Sequence, residues 1–171
     1  IKVASRCNLD CSYCYVYQGQ DQNWVNQPKR ISNETIDSIC KSIDQVTSFQ
    51  NNGFAVVLHG GEPLLLGSVK LKELLSKLRR VLPNYDKYPI AIQTNGILLS
   101  DEIIEICSHY KTSISVSLDG VKKSNDIARF THDGQSSFQK VINGIDKLIA
   151  HPENDFLFSG TLSVIQPTTS P

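Results

Sequence analysis

The stretch Gly53–Gly60, "GFAVVLHG", followed directly by "GEP" at 61–63, decides the class of fold. Its nearly continuous apolar run ending in glycine is typical of a β-strand covered on both faces, as in parallel sheets. A polar, glycine-rich turn begins where the run ends. Because ligands of parallel α/β folds bind at the carboxyl ends of the strands, the sequence predicts a buried strand that leads into a binding site.

Further alternation of short and long periodic segments extends this pattern along the chain. Short apolar runs predict strands at 1–5, 88–96, 112–120 and 156–166. Amphipathic stretches predict helices at 33–46, 68–82, 100–110 and 136–151. We expect Ser32 or Asn33 to cap the first helix and Ser100 the third. The order βαβαβαβαβ indicates a parallel sheet with helices outside it, either an open doubly wound sheet or part of a (β/α) barrel. A complete barrel needs about 250 residues, so 171 residues could form only a partial one.

Composition excludes several classes of partner. Lys plus Arg and Asp plus Glu number 17 each, so the formal net charge is zero and gives no electrostatic reason to propose nucleic acid as a partner. No apolar run reaches the roughly 20 residues that span a membrane, and no signal-peptide pattern is present. The chain starts at Ile1, contains no Met and ends in the loop-like "QPTTSP". We therefore expect a piece of a longer protein, in which residues 1–171 form one core domain.

Three of the five cysteines crowd into "SRCNLDCSYCYVY" at 5–17, as Cys7, Cys11 and Cys14. Cys40 and Cys107 lie on apolar helical stripes, where we expect core residues. An odd count with such crowding disfavours a disulfide framework and favours free thiols in a reducing, cytoplasmic compartment. Cysteine thiolates bind zinc or iron–sulfur clusters, and both usually take four ligands. The spacing leaves two candidates: zinc completed by a distant residue such as His59, or a cluster whose fourth corner stays open.

A family resemblance distinguishes these candidates. The octapeptide "CNLDCSYC" resembles the cluster motif of the radical S-adenosylmethionine (radical SAM) superfamily, with Tyr13 in the aromatic place. "GGEP" at 60–63 is similar to the superfamily's second motif, and "QTNG" at 93–96 and "SLDG" at 117–120 are similar to segments that its members carry after the next two strands. The resemblance implies a partial (β/α)6-type TIM-like barrel, a parallel sheet with outer helices that is truncated after the fifth strand.

The resemblance also implies the cofactors. Cys7, Cys11 and Cys14 would bind three irons of a [4Fe–4S] cluster, and the fourth iron would chelate S-adenosylmethionine (SAM). An electron from a low-potential donor such as flavodoxin or ferredoxin would then cleave SAM to methionine and a 5′-deoxyadenosyl radical, which abstracts hydrogen from the substrate. The protein would bind and orient these cofactors and would exclude competing reactions.

By the same resemblance, the cofactor-binding residues lie at the strand ends. They are Tyr13, Gly60, Gly61, Glu62, Pro63, Asn95, Ser117, Asp119, Arg129 and Val164. Bare carbonyls of "GGEP" and the carboxylate of Glu62 would accept hydrogen bonds from the SAM ammonium, although the same motif also suits a tight turn. Ser117 would bond the ribose or carboxylate, Asp119 would support its loop, and Val164 would contact the adenine.

Arg129 would bind the SAM carboxylate, for which a guanidinium is well suited; the alternative is a surface salt bridge. Related enzymes commonly carry His-Asp shortly before this arginine, where this chain has Asn125-Asp126. No catalytic residue is assigned. Trp24, in the loop 18–28, could pack over the cysteine loop or contact substrate.

The segment "KVASRCNLDCSYCYVY" at 2–17 is similar to radical SAM peptide maturases that carry a cysteine-rich SPASM-type domain after the core. This similarity implies a peptide or protein substrate and auxiliary clusters outside this chain. A radical SAM enzyme for a small molecule and a non-catalytic zinc-binding α/β module are the alternatives.

Overall fold

The computed structural model describes residues 1–165, and five parallel strands form its centre. The strands are β1 (Lys2–Ala4), β2 (Val56–Gly60), β3 (Ile90–Thr94), β4 (Thr112–Ser117) and β5 (Phe158–Leu162). The helices are α1 (Asn33–Phe49), α2 (Ser68–Val81), α3 (Asp101–His109), α4 (Lys122–Asn125), α5 (Phe138–Ala150) and α6 (Asn154–Leu157). Short 3-10 turns cover Asn23–Asn26 and Pro63–Leu66.

The strand order distinguishes the two architectures that the sequence leaves open. Neighbouring strands follow the chain order β1-β2-β3-β4-β5, and every pair is parallel. A doubly wound sheet reverses its order at a switch point, and no such reversal occurs among these strands. The chain therefore winds in one direction, as in a (β/α) barrel, and the predicted partial TIM-like barrel is confirmed.

The core lies between the sheet and its outer helices. Leu58, Ile92 and Ile114 are fully buried and point outward from three neighbouring strands. Leucines of α2, with Ile36 of α1, cover them and are themselves fully buried. Cys40 and Cys107 belong to the same core, as their positions in the sequence predict. Burial of this apolar surface is the main stabilising contribution.

The inner face of the sheet is partly exposed, unlike the outer face. The prediction that β2 is covered on both faces is therefore wrong. Val57 is 42% exposed and His59 is exposed, whereas their strand neighbours are buried. The reason is that helices pack on the outer face alone in the described part of the chain. Gln93, Ser115 and Ser117 continue the partly exposed inner surface across β3 and β4. The strand ends therefore open into a cleft lined by small and polar groups.

Side-chain caps mark the starts of α1 and α3. The hydroxyls of Ser32 and Ser100 accept hydrogen bonds from Thr35 N (3.1 Å) and Ile103 N (3.3 Å), so both predicted caps are confirmed. The predicted fifth strand is shorter than expected, because it ends at Leu162, and its last position, 166, lies outside the described residues. Within residues 1–165, no helix combines the length and apolar character that crossing a bilayer requires.

Arg79, near the end of α2, is a buried cation that has no carboxylate partner in the described part of the chain, and its guanidinium donates to three backbone carbonyls. It donates to the carbonyls of Tyr88 (2.9 Å), Tyr110 (2.7 Å) and Lys111 (2.5 Å). Lys111 has a positive φ of 46°. The three hydrogen bonds of Arg79 thus join α2 to the starts of β3 and β4, at the end of the sheet opposite the cysteine loop.

Candidate active site

A cavity of about 270 Å³ lies where the cysteine loop, residues 5–17, meets the carboxyl ends of β2, β3 and β4. The predicted site residues that line it are Cys7, Cys11, Cys14, Tyr13, Gly60, Gly61, Asn95, Ser117, Arg129 and Val164. Glu62, Pro63 and Asp119 do not line it. A larger cleft of about 660 Å³ beside β1 contains no cysteine, histidine or acid among its lining residues. The chemistry-bearing side chains therefore converge on the smaller cavity.

Arg6 and Trp24 fix the first half of the cysteine loop. The Arg6 guanidinium donates to the carbonyls of Trp24 and Val25, each at 2.8 Å, and lies 5.2 Å from the centre of the Trp24 ring. Trp24 in turn packs edge-on against Tyr17, with ring centres 4.8 Å apart. Of the two roles that the sequence leaves open for Trp24, the structure supports packing over the cysteine loop.

Backbone pairing fixes the second half of the loop. Asp10 N donates to Phe130 O (2.8 Å) and Ser12 N donates to Ala128 O (2.9 Å). This short antiparallel contact brings the segment after α4 against the cysteines and places Arg129 beside them. Sequence analysis missed the pairing because backbone hydrogen bonds leave no periodicity in the side chains.

A hydrogen-bonded chain runs from Arg129 to the end of β5. Arg129 Nη1 donates to the Tyr13 hydroxyl (2.8 Å), which donates to Asp119 Oδ2 (2.7 Å), and Asp119 Oδ1 accepts from Val164 N (2.9 Å). Burial raises the pKa of Tyr13 to about 12, so its hydroxyl stays protonated. Arg129 is only 6% exposed, which excludes the surface salt bridge. Asp119 therefore supports the Arg129–Tyr13 hydrogen bond from outside the cavity.

Glu62 requires a correction. Its side chain is 0% exposed and does not face the cavity. Oε1 accepts from Leu64 N (2.9 Å) and Thr94 Oγ1 (2.6 Å), and Oε2 accepts from Asn95 N (2.8 Å). Burial raises the pKa of this carboxyl, and the three donors oppose that effect. Because it is fully buried outside the cavity and bonds groups of both turns, Glu62 joins the loops after β2 and β3 and is not placed to bind SAM.

Pro63 requires the same correction as a ligand-binding residue. It is buried and starts the 3-10 turn Pro63–Leu66. A proline lacks the N–H group that would be unsatisfied at the first position of such a turn. The turn explanation of "GGEP" therefore holds for its second half, while Gly60 and Gly61 line the cavity.

Asn95 orients Cys7. Its Nδ2 donates to Asn8 Oδ1 (2.7 Å) and lies 3.8 Å from Cys7 Sγ, and Leu9 N donates to the same sulfur at 3.4 Å. Burial raises the pKa of Cys7 to about 11. Two N–H donors therefore face a sulfur that burial otherwise keeps protonated, an arrangement that would stabilise a metal-bound thiolate.

Ser117 occupies the opposite wall, at the end of β4. Its hydroxyl accepts a hydrogen bond from Gln93 Nε2 (3.0 Å), so the two side chains form a pair on the inner face. Both line the cavity, together with His59 at the end of β2. Burial and the nearby N-terminal and Lys2 charges lower the pKa of His59, which favours its neutral form.

The arrangement of the thiols bears on which metal group they fit. Cys7, Cys11 and Cys14 are all free and half-buried, and they line one cavity. In residues 1–165, no three His, Cys, Asp or Glu side chains are close enough together to share one metal ion. This disfavours the zinc candidate completed by His59. Three thiolates that bind three different irons of a cube need not converge on one point, so the cysteine set fits a cluster.

Fold and site together define a class: a parallel (β/α) half-barrel that carries a three-cysteine loop at the carboxyl ends of its strands. Residues 1–163 match the pattern of the Radical SAM superfamily. The chain therefore belongs to the radical SAM superfamily. Membership implies a [4Fe–4S] cluster and SAM as cofactors.

Three similar proteins illustrate the range of the superfamily around this chain. The radical SAM cyclopropyl synthase TigE of Paramaledivibacter caminithermalis is 27% identical over 94% of this chain and 34% of its own length. The serine-type anaerobic sulfatase-maturating enzyme of Bacteroides thetaiotaomicron is 31% identical over 87% of this chain and 35% of its own length. The structure of native anSMEcpe with bound AdoMet and Kp18Cys peptide superposes with a TM-score of 0.73, at 26% identity, over 92% of this chain and 40% of that one. The chain thus spans about a third of the two curated relatives' length.

Proposed function

We propose that this chain is the catalytic core of a radical SAM enzyme that modifies a peptide or protein. The observation that carries the proposal is the convergence of three free thiols with the glycine turn after β2 and the ends of β3 and β4 on one cavity. When bound, the cluster and SAM supply reductive cleavage of SAM to methionine and a 5′-deoxyadenosyl radical, which abstracts hydrogen from the substrate. The electron would come from a low-potential donor such as flavodoxin or ferredoxin.

Cys7, Cys11 and Cys14 would hold the cluster. Asn95 and the Leu9 amide point N–H groups at the Cys7 sulfur, which favours the thiolate that a metal requires. Three cysteines would leave the fourth corner of the cluster to a ligand from solution, as in catalytic metal sites.

The remaining cavity walls would bind SAM. Arg129 lies beside Cys11 and uses Nη1 to bond Tyr13, and its charge suits the SAM carboxylate. The Tyr13–Asp119 contact holds this guanidinium in place from behind. Gly60 and Gly61 provide bare backbone for the ammonium group, Ser117 a hydroxyl for the ribose or carboxylate, and Val164 an apolar wall for the adenine.

The substrate class rests on the relatives and on the inner face of the sheet. A sulfatase-maturating enzyme and a structure with a bound peptide are among the proteins that this chain resembles. The uncovered inner face, with Gln93 and Ser115 partly exposed, offers amide and hydroxyl groups that match the hydrogen-bonding groups of a polypeptide.

Cofactor content tests the first part of the proposal. After anaerobic reconstitution, the full-length protein should bind iron and sulfide, and SAM with dithionite should yield 5′-deoxyadenosine. Cys11→Ala should lose the cluster of this cavity and the product, while Cys40→Ala, a change in the core away from the cavity, should keep both. A colourless wild-type protein that holds one zinc would overturn the cluster assignment.

Isotope transfer tests the substrate class. Candidate peptides encoded next to the gene are made with deuterium at Cα and Cβ and incubated with the reconstituted protein, SAM and dithionite. Deuterium in the 5′-deoxyadenosine and a mass change in the peptide would establish peptide modification. Transfer of deuterium from a labelled small metabolite, with every peptide unchanged, would contradict it.

A further inference from the structure

The hydroxyl group of Tyr17 is an unexplained polar group at the edge of the cavity. It is buried and has no hydrogen-bond partner among residues 1–165. Buried hydroxyl groups are nearly always hydrogen-bonded, because an unsatisfied one costs about 1–3 kcal/mol. Tyr17 lines the same cavity as the three thiols, so a group that occupies the cavity can supply the missing acceptor.

Neighbouring residues hold this hydroxyl in place. The Trp24 ring packs edge-on against the tyrosine ring. At the other end, the hydroxyl lies over Gly61, where an added Cβ would meet it at 2.0 Å. Glycine is therefore required at this position for the hydroxyl to reach the cavity wall. Such fixed placement is characteristic of a preorganised contact and not of a side chain that follows solvent.

The lining of the cavity indicates the kind of acceptor. Among the described residues that line it are three cysteines and no aspartate or glutamate. Tyr17 is also tied to the cysteine loop, because its backbone N–H donates to the carbonyl of Cys14 at 3.3 Å. Sulfur is thus the negatively charged acceptor that this part of the cavity offers.

We propose that the Tyr17 hydroxyl donates a hydrogen bond to a sulfur of the cluster held by Cys7, Cys11 and Cys14, and thereby raises the reduction potential of the cluster. The inference rests on the proposed function, because it requires the cluster. Reduction adds negative charge to the cluster sulfurs, so a donor aimed at them stabilises the reduced state more than the oxidised state. Tyr17 is therefore a positioning and tuning residue that binds no iron.

A redox titration tests the inference. The full-length protein and its Tyr17→Phe variant are reconstituted anaerobically, and the reduced cluster is followed by EPR without SAM; the signal that Cys11→Ala lacks belongs to this cluster. We expect Tyr17→Phe to keep its iron and to shift the midpoint potential downward. At a fixed potential, the ratio of reduced to oxidised cluster should fall roughly five-fold, the effect of one lost hydrogen bond. Tyr15→Phe is the matched control, because Tyr15 is in the same loop but 88% exposed, and it should cause no shift.

Thermal unfolding without cofactor is an independent test. The same variant that lowers the midpoint potential should not lower the melting temperature. If the hydroxyl lacks a partner in the apo protein, Tyr17→Phe should melt at the same temperature as wild type or above it. A lower melting temperature would mean that another protein group already bonds the hydroxyl, and would overturn the inference. The inference would also be overturned if the midpoint potential of Tyr17→Phe were equal to or above that of Tyr15→Phe. Loss of iron by Tyr17→Phe, despite normal stability without cofactor, would overturn it as well. A wild-type protein that takes up no cluster would instead refute the proposed function.

Discussion

Replacing Glu62 with glutamine distinguishes a residue that positions two loops from one that binds SAM. The variant side chain would keep one oxygen for the two donors that now reach Oε1, from Leu64 N and Thr94 Oγ1. Its amide nitrogen would then face Asn95 N, which now donates to Oε2 at 2.8 Å. Two donors would point at each other in a site with no access to water.

The cost of this change follows from the one bond that is lost. Leaving a buried backbone N–H without an acceptor costs about 1–3 kcal/mol. For a chain of this length, 1 kcal/mol corresponds to about 2–4 °C in melting temperature. With a central value of about 2 kcal/mol, Glu62→Gln should lower the melting temperature by roughly 4–8 °C. Hydrogen exchange at Asn95 N should also become faster, because that amide loses its acceptor.

The assay is thermal unfolding of the protein without cofactor, followed by measurement of SAM affinity after reconstitution. Glu102→Gln makes the same chemical change at an exposed position in the first turn of α3 and should cost less than about 0.5 kcal/mol. An unchanged melting temperature for Glu62→Gln would refute the positioning role. If SAM affinity then fell, the ligand role that the sequence predicts would be restored.

Three other changes test the fold around the site. Gly144→Ala should destabilise the chain, although alanine normally favours a helix. The reason is that a Cβ at this point of α5 would lie 2.4 Å from the carbonyl oxygen of Gly96. A higher melting temperature would contradict this packing. Arg79→Met keeps an unbranched apolar stem but leaves three carbonyls without their donor, and we expect a loss of about 2 kcal/mol or more in a urea titration. A loss below about 0.5 kcal/mol would show that water replaces the three hydrogen bonds. Ser32→Ala removes a helix cap with a bond of 3.1 Å to Thr35 N and should cost about 1 kcal/mol, with unchanged unfolding as the contrary result.

The order of the five strands and the four longer helices could be predicted because each carries its own periodicity, whereas α4 and α6 are too short to show one. The cysteine loop at the end of β1 and the glycine turn at the end of β2 could also be placed at one edge, since parallel strands end together. The depth of each side chain could not be predicted. Glu62 belongs to a motif that suits a ligand, yet it is buried, and donors from its own turn and from the end of β3 surround it.

Two further features could not be predicted from the sequence pattern. Whether both faces of β2 are covered depends on which elements pack inside the barrel, and the apolar run "AVVL" is equally compatible with one covered face and with two. The pairing of Asp10 with Phe130 is made by backbone atoms, which every residue type possesses. The position of Arg129 beside Cys11 is a consequence of that pairing and therefore leaves little trace in the sequence.

The double attachment of the cysteine loop has a consequence for how the proposed cluster would be acquired. Arg6 fastens one end of the loop and the segment 128–131 fastens the other, and both attachments use protein atoms only. The loop can therefore take its shape before any iron arrives. A folded apoenzyme would offer the three thiols together to an assembly carrier, and a molecule stripped of its cluster by oxygen could be reloaded without first unfolding.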